Sequence, residues 1–294
     1  MKDYLKISVV VPCFNAELYI ESTITSIINQ DYPNLELILV DGLSTDGTMK
    51  IIAKYSNHFT HIISERDNGQ YNAINKGFSF ATGDIYCWLN ADDIFLPWTF
   101  NIVNHLFKKF ETFNWISGIP AFTDENNFFN SYNVISSKPS SIIKNGGFRK
   151  NIFGFLQQES MFWKKEIWDK VGGINEKYSL AGDFDLWLKF SQVSELISVG
   201  STLAAFRKHT SNRSAIMSDK YDNEVASILQ SKISIYRTIC FFSKRSRVIN
   251  KLIRLLVWRK CPTVFYSVLG KEWIFRKCLR PISNNSIERL IIQS

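Results

Sequence analysis

The chain has 294 residues, no Cys-x-x-Cys pair and an odd number of cysteines: Cys13, Cys87, Cys240, Cys261 and Cys278. Neither a disulfide framework nor a zinc ribbon is indicated, and a reducing cytoplasm is expected. No Gly-x-Gly occurs, which leaves a nicotinamide-type dinucleotide fold without its phosphate-binding turn. No run of 18 apolar residues is present, so a conventional membrane span is not expected. The N-terminal MKDYLKISVVVPCF passes from two lysines into an apolar run without a small-residue cleavage site, so it does not read as a secretory leader. There is no internal repeat and no low-complexity segment.

What is present suffices for a full core. At 45% apolar residues, the chain suits one large domain with an appendage. The net charge of +8 is unevenly placed: residues 216–294 carry 15 Lys and Arg against 5 Asp and Glu, and residues 1–215 carry 20 against 22. A near-neutral domain over 1–215 and a basic region over 216–294 are therefore expected. Between residues 237 and 280, 12 basic residues face one acid, Glu272, among aromatics such as Trp258, Tyr266 and Trp273. Over 248–256, Val248, Ile249, Leu252, Leu255 and Leu256 fall on one helical face and Arg247, Lys251 and Arg254 on the other. That pattern predicts an amphipathic helix able to lie on an anionic membrane surface. A helical appendage packed on the domain is the plainer alternative, and nucleic acid is not an expected partner.

Strand and helix signals alternate through the first half. Residues 6–14, 35–40, 61–64 and 84–89 read as strands, and 16–30, 46–56 and 70–81 show helical spacing or helix-start signals. This βαβα order predicts an α/β fold with a mainly parallel sheet covered by helices on both faces. Later segments are less regular, with strands expected at 115–122, 127–135 and 160–163 and helices over 97–110, up to Val171, and over 183–191.

The strand at 84–89 runs directly into Asn90-Ala91-Asp92-Asp93. Carboxylates at the carboxyl end of a strand in an open α/β sheet lie where ligands bind, and clustered hard oxygens suit a divalent cation carrying a diphosphate. A solvated turn capping the next helix is the alternative. Asp41 stands at the end of the second strand, where it can accept an N–H from a base, while Asp46 reads as a helix cap. Asp183 and Asp185, at a helix start, point to different sides, so one of them is expected to face a site. Asp183 is either a general base or a helix cap.

The series SVVVPCFNAE, VDGLSTDGT, SERDNGQYNAINKG, ATGDIYCWLNADD and AGDFDLWLKF resembles, in the same order over about residues 6–210, the family 2 glycosyltransferases of GT-A fold, in particular bacterial enzymes of surface-polysaccharide synthesis. The resemblance implies an inverting transfer of a hexosyl or N-acetylhexosaminyl group from a nucleotide-diphosphate sugar, UDP being the expected nucleotide. The acceptor would be a glycan or lipid-linked glycan, and the cofactor Mn²⁺ or Mg²⁺. It implies donor contacts from Pro12, Asn15, Glu17, Asp41, Arg66, Asp67, Asn72, Asn75, Lys76, Asn90, Ala91 and Asp92. It assigns Asp92, Asp93 and His209 to the metal, Asp183 to the base, and Gln158, Glu159 and Trp187 to the acceptor side. Asn90 replaces the first acid of the family's acidic motif, and Gly182 replaces a frequent Glu. Trp163 and Trp187 are open to two readings, a floor under a sugar or core packing. Two other functions share these features. A sugar nucleotidyltransferase needs a Gly-rich basic loop where this chain has PCFNAE, and a binding protein without catalysis would not need Asp92, Asp93 and Asp183 together.

Overall fold

The computed structural model describes residues 4–132, 138–149, 154–229, 262–268 and 270–276. The first half follows the expected alternation: β1 (Ile7–Cys13), α1 (Ile20–Ile28), β2 (Leu35–Asp41), α2 (Thr48–Ala53), β3 (His61–Ser64), α3 (Gln70–Phe80) and β4 (Ile85–Trp88). β1 lies between β2 and β4, parallel to both, and β3 is parallel to β2. The strands are almost wholly apolar because both faces of the sheet are covered. Their period of two sorts the side chains. Val9, Val11, Leu37 and Leu39 pack with Ile20, Ile24 and Ile27 of α1, whereas Val10, Ile38 and Val40 pack with Ile74 and Phe78 of α3.

The chain continues through β5 (Ile94–Phe95), α4 (Thr99–Lys109), β6 (Trp115–Thr123), β7 (Phe129–Tyr132), α5 (Ser140–Lys144), β8 (Met161–Lys164), α6 (Lys165–Val171), α7 (Gly182–Val193) and β9 (Leu196–Arg207). α8 (Arg213–Ile216), α9 (Ser218–Leu229), β10 (Thr263–Ser267) and β11 (Glu272–Arg276) follow. The strand order is β11-β10-β9-β6-β8-β4-β1-β2-β3, with β8 antiparallel to both its neighbours. The result is the expected mixed, mainly parallel sheet between helices.

Two expectations are corrected. The region read as a helical basic appendage contributes a hairpin, β10 and β11, and β10 joins β9 in parallel. Val264 and Trp273 of this hairpin are buried in the same core as Leu106 and Phe107 of α4. The amphipathic stretch at 248–256 lies outside the described residues. The second correction concerns the tryptophans. Trp187 and Trp163 are not a sugar platform: both are buried, and Trp187 stacks on Trp88 and Trp115 with ring centroids 5.7 and 5.9 Å apart. Large aromatic rings on inward faces of β4, β6, β8 and α7 bury more area together than one could against a ligand.

α3 seats closely on the sheet because position 77 is glycine. A Cβ there would overlap the buried, β-branched Val10. Gly77→Ala is therefore expected to destabilise the protein by about 1–3 kcal/mol, the usual scale of overpacking. Urea unfolding checks this, and an unchanged midpoint would mean that α3 does not sit this close to β1.

Candidate active site

The parallel strands β1, β2 and β4 open their carboxyl ends to one edge of the sheet, where the loops carry the polar residues of interest. The turn after β1 and the turn after β2 are tied together. Asn15 Oδ1 accepts the Thr45 N–H (2.8 Å), Glu17 Oε2 accepts the Gly47 N–H (2.6 Å), and the Asn15 N–H donates to Ser44 Oγ (2.8 Å). Asp41 is fully buried beneath this pair of turns; its carboxylate accepts from the Ser44 N–H and hydroxyl and from Ser64 Oγ (2.7 Å).

The acidic tip of β4 is built on α1 and β9. Thr23 Oγ1 donates to the carbonyls of Ala91 (2.9 Å) and Asp93 (2.8 Å). Asp93 is fully buried; Oδ1 accepts the Arg207 N–H (3.0 Å) and Oδ2 the Asn90 amide (3.3 Å). Burial, with Asp92 and Glu159 nearby, pushes its carboxyl well above the usual range. Asp92, by contrast, is partly exposed, and its Oδ2 lies 3.0 Å from His209 Nε2. The His209 ring is fixed by Ser211 Oγ at Nδ1 (2.8 Å), by Asn212 Nδ2 at Nε2 (2.8 Å), and by the Tyr19 ring at 4.5 Å between centroids. Tyr19 also lies under the Arg207 guanidinium, which reaches Ser22 Oγ (2.7 Å).

α3 links this tip to the second acidic site. Gln70 Nε2 donates to Asn90 Oδ1 (2.6 Å), and the hydroxyl of the next residue, Tyr71, donates to Asp183 Oδ1 (3.2 Å) and to the Leu180 carbonyl (2.8 Å). Asp183 opens α7, accepts the Phe184 N–H (2.7 Å), and is pushed up by burial to about 6. Asp185 turns away and pairs with Lys189 (2.8 Å), as two residues of helical rotation require. Between the two acidic sites, Glu159 is buried and pushed up by that burial to about 8, with Lys138 adding attraction and Asp92 and Asp183 repulsion. Lys138, also buried, donates to Ser117 Oγ and the Gly118 carbonyl and is lowered by burial to about 8. The Gln158 amide atoms are buried without a partner among the described residues.

A family model described as glycosyl transferase family 2 matches residues 8–169, more than half of the chain, from β1 into α6. The chain belongs to glycosyl transferase family 2. An uncharacterized glycosyltransferase of Haemophilus influenzae is 28% identical over 251 residues, covering 78% of this chain and 74% of that protein. Residues 1–349 of S. aureus TarS, solved with UDP-GlcNAc, share the fold at a TM-score of 0.58 and 15% identity, over 87% of this chain and 85% of TarS 1–349. The mannosyltransferase PcManGT of Pyrobaculum calidifontis, solved with GDP-Man and Mn²⁺, does so at 0.57 and 21% identity, over 79% of this chain and 65% of that one. At those identities the two likenesses speak for the GT-A fold alone.

In this family 2 glycosyltransferase the structure brings together Asn90, Asp92 and His209, and joins them through α3 to Asp183. Several other nominated residues serve the protein itself. Asp93 faces inward, so as placed it supports the tip rather than a ligand. Asn15 Oδ1 and Glu17 Oε2 brace the two turns while both residues stay exposed, Asp41 is held by Ser44 and Ser64, and Pro12 is buried in β1 beside Val40. Asn72 and Asn75 donate to Glu176 (2.9 and 2.7 Å), Asn75 also to the Ile174 carbonyl, and Lys76 pairs with Glu65 (2.8 Å). Arg66 is exposed on the loop after β3; Asp67 Oδ1 accepts the Gly69 N–H (2.8 Å), and the side chain packs over Gly42. Glu159 and Gln158 lie between the acidic sites, whereas Trp187 is core. Gln70, Tyr71, Tyr19 and Asn212 were not singled out by sequence, although Gln70 and Tyr71 sit inside the QYNAINKG segment.

The donor atoms at the tip fit a divalent cation. Among the described residues no three His, Cys, Asp or Glu side chains are grouped to hold a metal by themselves. One carboxylate oxygen and one imidazole nitrogen 3.0 Å apart form an incomplete set that diphosphate oxygens would complete.

Proposed function

We propose that this glycosyltransferase moves a sugar from a nucleotide-diphosphate donor, UDP being the favoured nucleotide, to a hydroxyl of a glycan or lipid-linked glycan in bacterial polysaccharide synthesis. The observation that carries this reading is the α3 bridge. Consecutive residues, Gln70 and Tyr71, touch the acidic tip and the second carboxylate, which supports a donor side and a base flanking one helix start. Asp92 and His209 would hold Mn²⁺ or Mg²⁺, which supplies neutralisation of the charge that builds on the leaving phosphate. Asn90, fixed by Gln70 and Asp93, stands on the same side.

Asp183 takes the proton of the acceptor hydroxyl. As the acceptor oxygen forms its bond to the anomeric carbon, the bond from that carbon to the diphosphate oxygen breaks, and a single displacement of this kind inverts the configuration. A base must be ionised to act, and burial has raised Asp183 to about 6. Transfer is therefore expected to be full above that pH and to fall as pH drops through about 6. A pH–kcat profile for nucleoside diphosphate release checks this; a flat profile between pH 5 and about 7 would count against Asp183.

Peripheral attachment to the inner face of the cell membrane is part of the proposal. No helix among the described residues is long and apolar enough to cross a membrane. The basic, aromatic composition of residues 237–280 supports surface contact. Truncating the tail is a poor test, because it would also remove β10 and β11 from the sheet. Replacing Arg245, Arg247, Lys251 and Arg254 together by Gln is instead expected to weaken binding to phosphatidylserine vesicles by about 1 kcal/mol for each charge. Equal sedimentation of both proteins at low salt would overturn the membrane reading.

A further inference from the structure

We infer that Glu224 of α9 is a positioning residue for the base: its carboxylate fixes the backbone of residues 179–181, and with it the first turn of α7 that carries Asp183. At its start α7 supplies one side-chain acceptor of its own, Asp183 Oδ1 for the Phe184 N–H. The cap position is Ala181, and no side-chain cap bond is made there. The donors that precede the helix are taken up from elsewhere in the chain. Glu224 Oε1 accepts the Ser179 N–H (3.1 Å) and hydroxyl (2.8 Å), and Oε2 accepts the N–H groups of Leu180 and Ala181 (both 2.9 Å). One carboxylate thus receives four donors from three consecutive residues, about 45 positions earlier in sequence.

The carbonyls of the same segment are also held. Leu180 O accepts the Tyr71 hydroxyl (2.8 Å), and Ser179 O faces an Arg213 guanidinium nitrogen at 3.5 Å. Val225 and Ile228 of α9 pack on Ala181, Phe184 and Leu188, so the clamp is backed by an apolar contact. One turn before Glu224, Tyr221 lines a small cavity with Asp183, Phe184 and Trp187. A negative group beside the start of α7 also suits the helix dipole. Burial alone would raise the Glu224 carboxyl, but the bonds from Leu180, Ala181 and Ser179 outweigh it and hold the group below its ordinary range. Asp183 itself makes no contact that would fix the backbone before α7. That task falls to a residue beyond the family-model match, in the region the sequence assigned to the tail.

The kinetic arm of the test rests on the proposed function; the structural arm does not. Glu224→Ala and Glu224→Gln are made alone and with Asp183→Asn in the full chain. Hydrogen exchange followed by mass spectrometry reads the 179–184 segment, and UDP release from UDP-GlcNAc with Mn²⁺ reads turnover. Glu224→Ala is expected to speed exchange there by about tenfold or more, since the amides lose their acceptor. It should lower kcat by about 10- to 100-fold while leaving UDP affinity unchanged, the scale of a misplaced catalytic group. The Gln variant, which keeps an acceptor oxygen, should fall between. In the Asp183→Asn background the same change should cost no further rate, because Glu224 acts through Asp183. Unchanged exchange, or an equal loss of rate in both backgrounds, would overturn the inference. If the wild type released no UDP, the donor reading would fail, and the exchange result would still decide the clamp.

Discussion

Asp183→Asn is expected to slow sugar transfer by about 10² to 10⁴, the usual loss on removing a general base, while leaving donor binding intact. Asn keeps the size of the side chain and can still accept the Tyr71 hydroxyl and the Phe184 N–H, both of which go to Oδ1. What it loses is the capacity to take a proton. The acid limb that Asp183 gives the wild-type profile should vanish with it, leaving a slow, pH-insensitive residual rate. If Asp183 only capped α7, the rate would stay at the wild-type level and the cost would show in thermal stability. Glu159, buried and close enough to be repelled by Asp183, would then be the next carboxyl to examine.

Asp92→Asn is expected to weaken Mn²⁺-dependent binding of the donor nucleotide by about tenfold or more, since loss of even an outer partner of a metal typically costs 10- to 100-fold. Asp93→Asn is the informative contrast. Its carboxyl faces the protein, where it accepts from Arg207 and Asn90. An amide there can accept from one of them but sets its own NH₂ against the other, a cost of about 1–3 kcal/mol in stability with metal dependence retained. Calorimetry with UDP and Mn²⁺, run beside thermal unfolding, separates the two. Equal loss of Mn²⁺ dependence in both variants would mean that Asp93 reaches the ion and that its inward placement is not the working one.

The sheet was legible wherever strands were buried on both faces. β1, β2 and β4 are short continuous apolar runs, and α1 shows clear helical spacing of isoleucines, so local pattern and tertiary environment agree. β9 was not legible, because Ser198, Gly200, Ser201 and Thr202 interrupt it and its strand character comes from pairing with β5, β6 and β10. The β10–β11 hairpin was missed for a related reason: its charge suggested a surface appendage, while Val264 and Trp273 enter a core formed by residues far away in sequence. At the candidate site, motifs in order made Asp92, His209 and Asp183 candidates, and the structure sets Asp92 beside His209 and Asp183 in the first turn of α7. Which polar atoms bond within the protein was not legible. Asp41, Asn15, Glu17, Asn75 and Asp93 look like ligand residues in sequence, and the three-dimensional partners show polar atoms of each bonded within the protein. Glu224 carried no motif signal, since a lone Glu on an amphipathic helix reads as surface.

In the proposed mechanism two carboxylate sites joined by the start of α3 divide the work, Asp92 with His209 holding the donor and Asp183 accepting the proton. Titration of UDP into the wild type and Asp183→Asn, each with Mn²⁺ and with EDTA, tests it most directly. Mn²⁺-dependent binding of equal affinity is expected in both proteins, with transfer lost in the variant alone. Binding that is indifferent to Mn²⁺, or an affinity that collapses with Asp183→Asn, would contradict it.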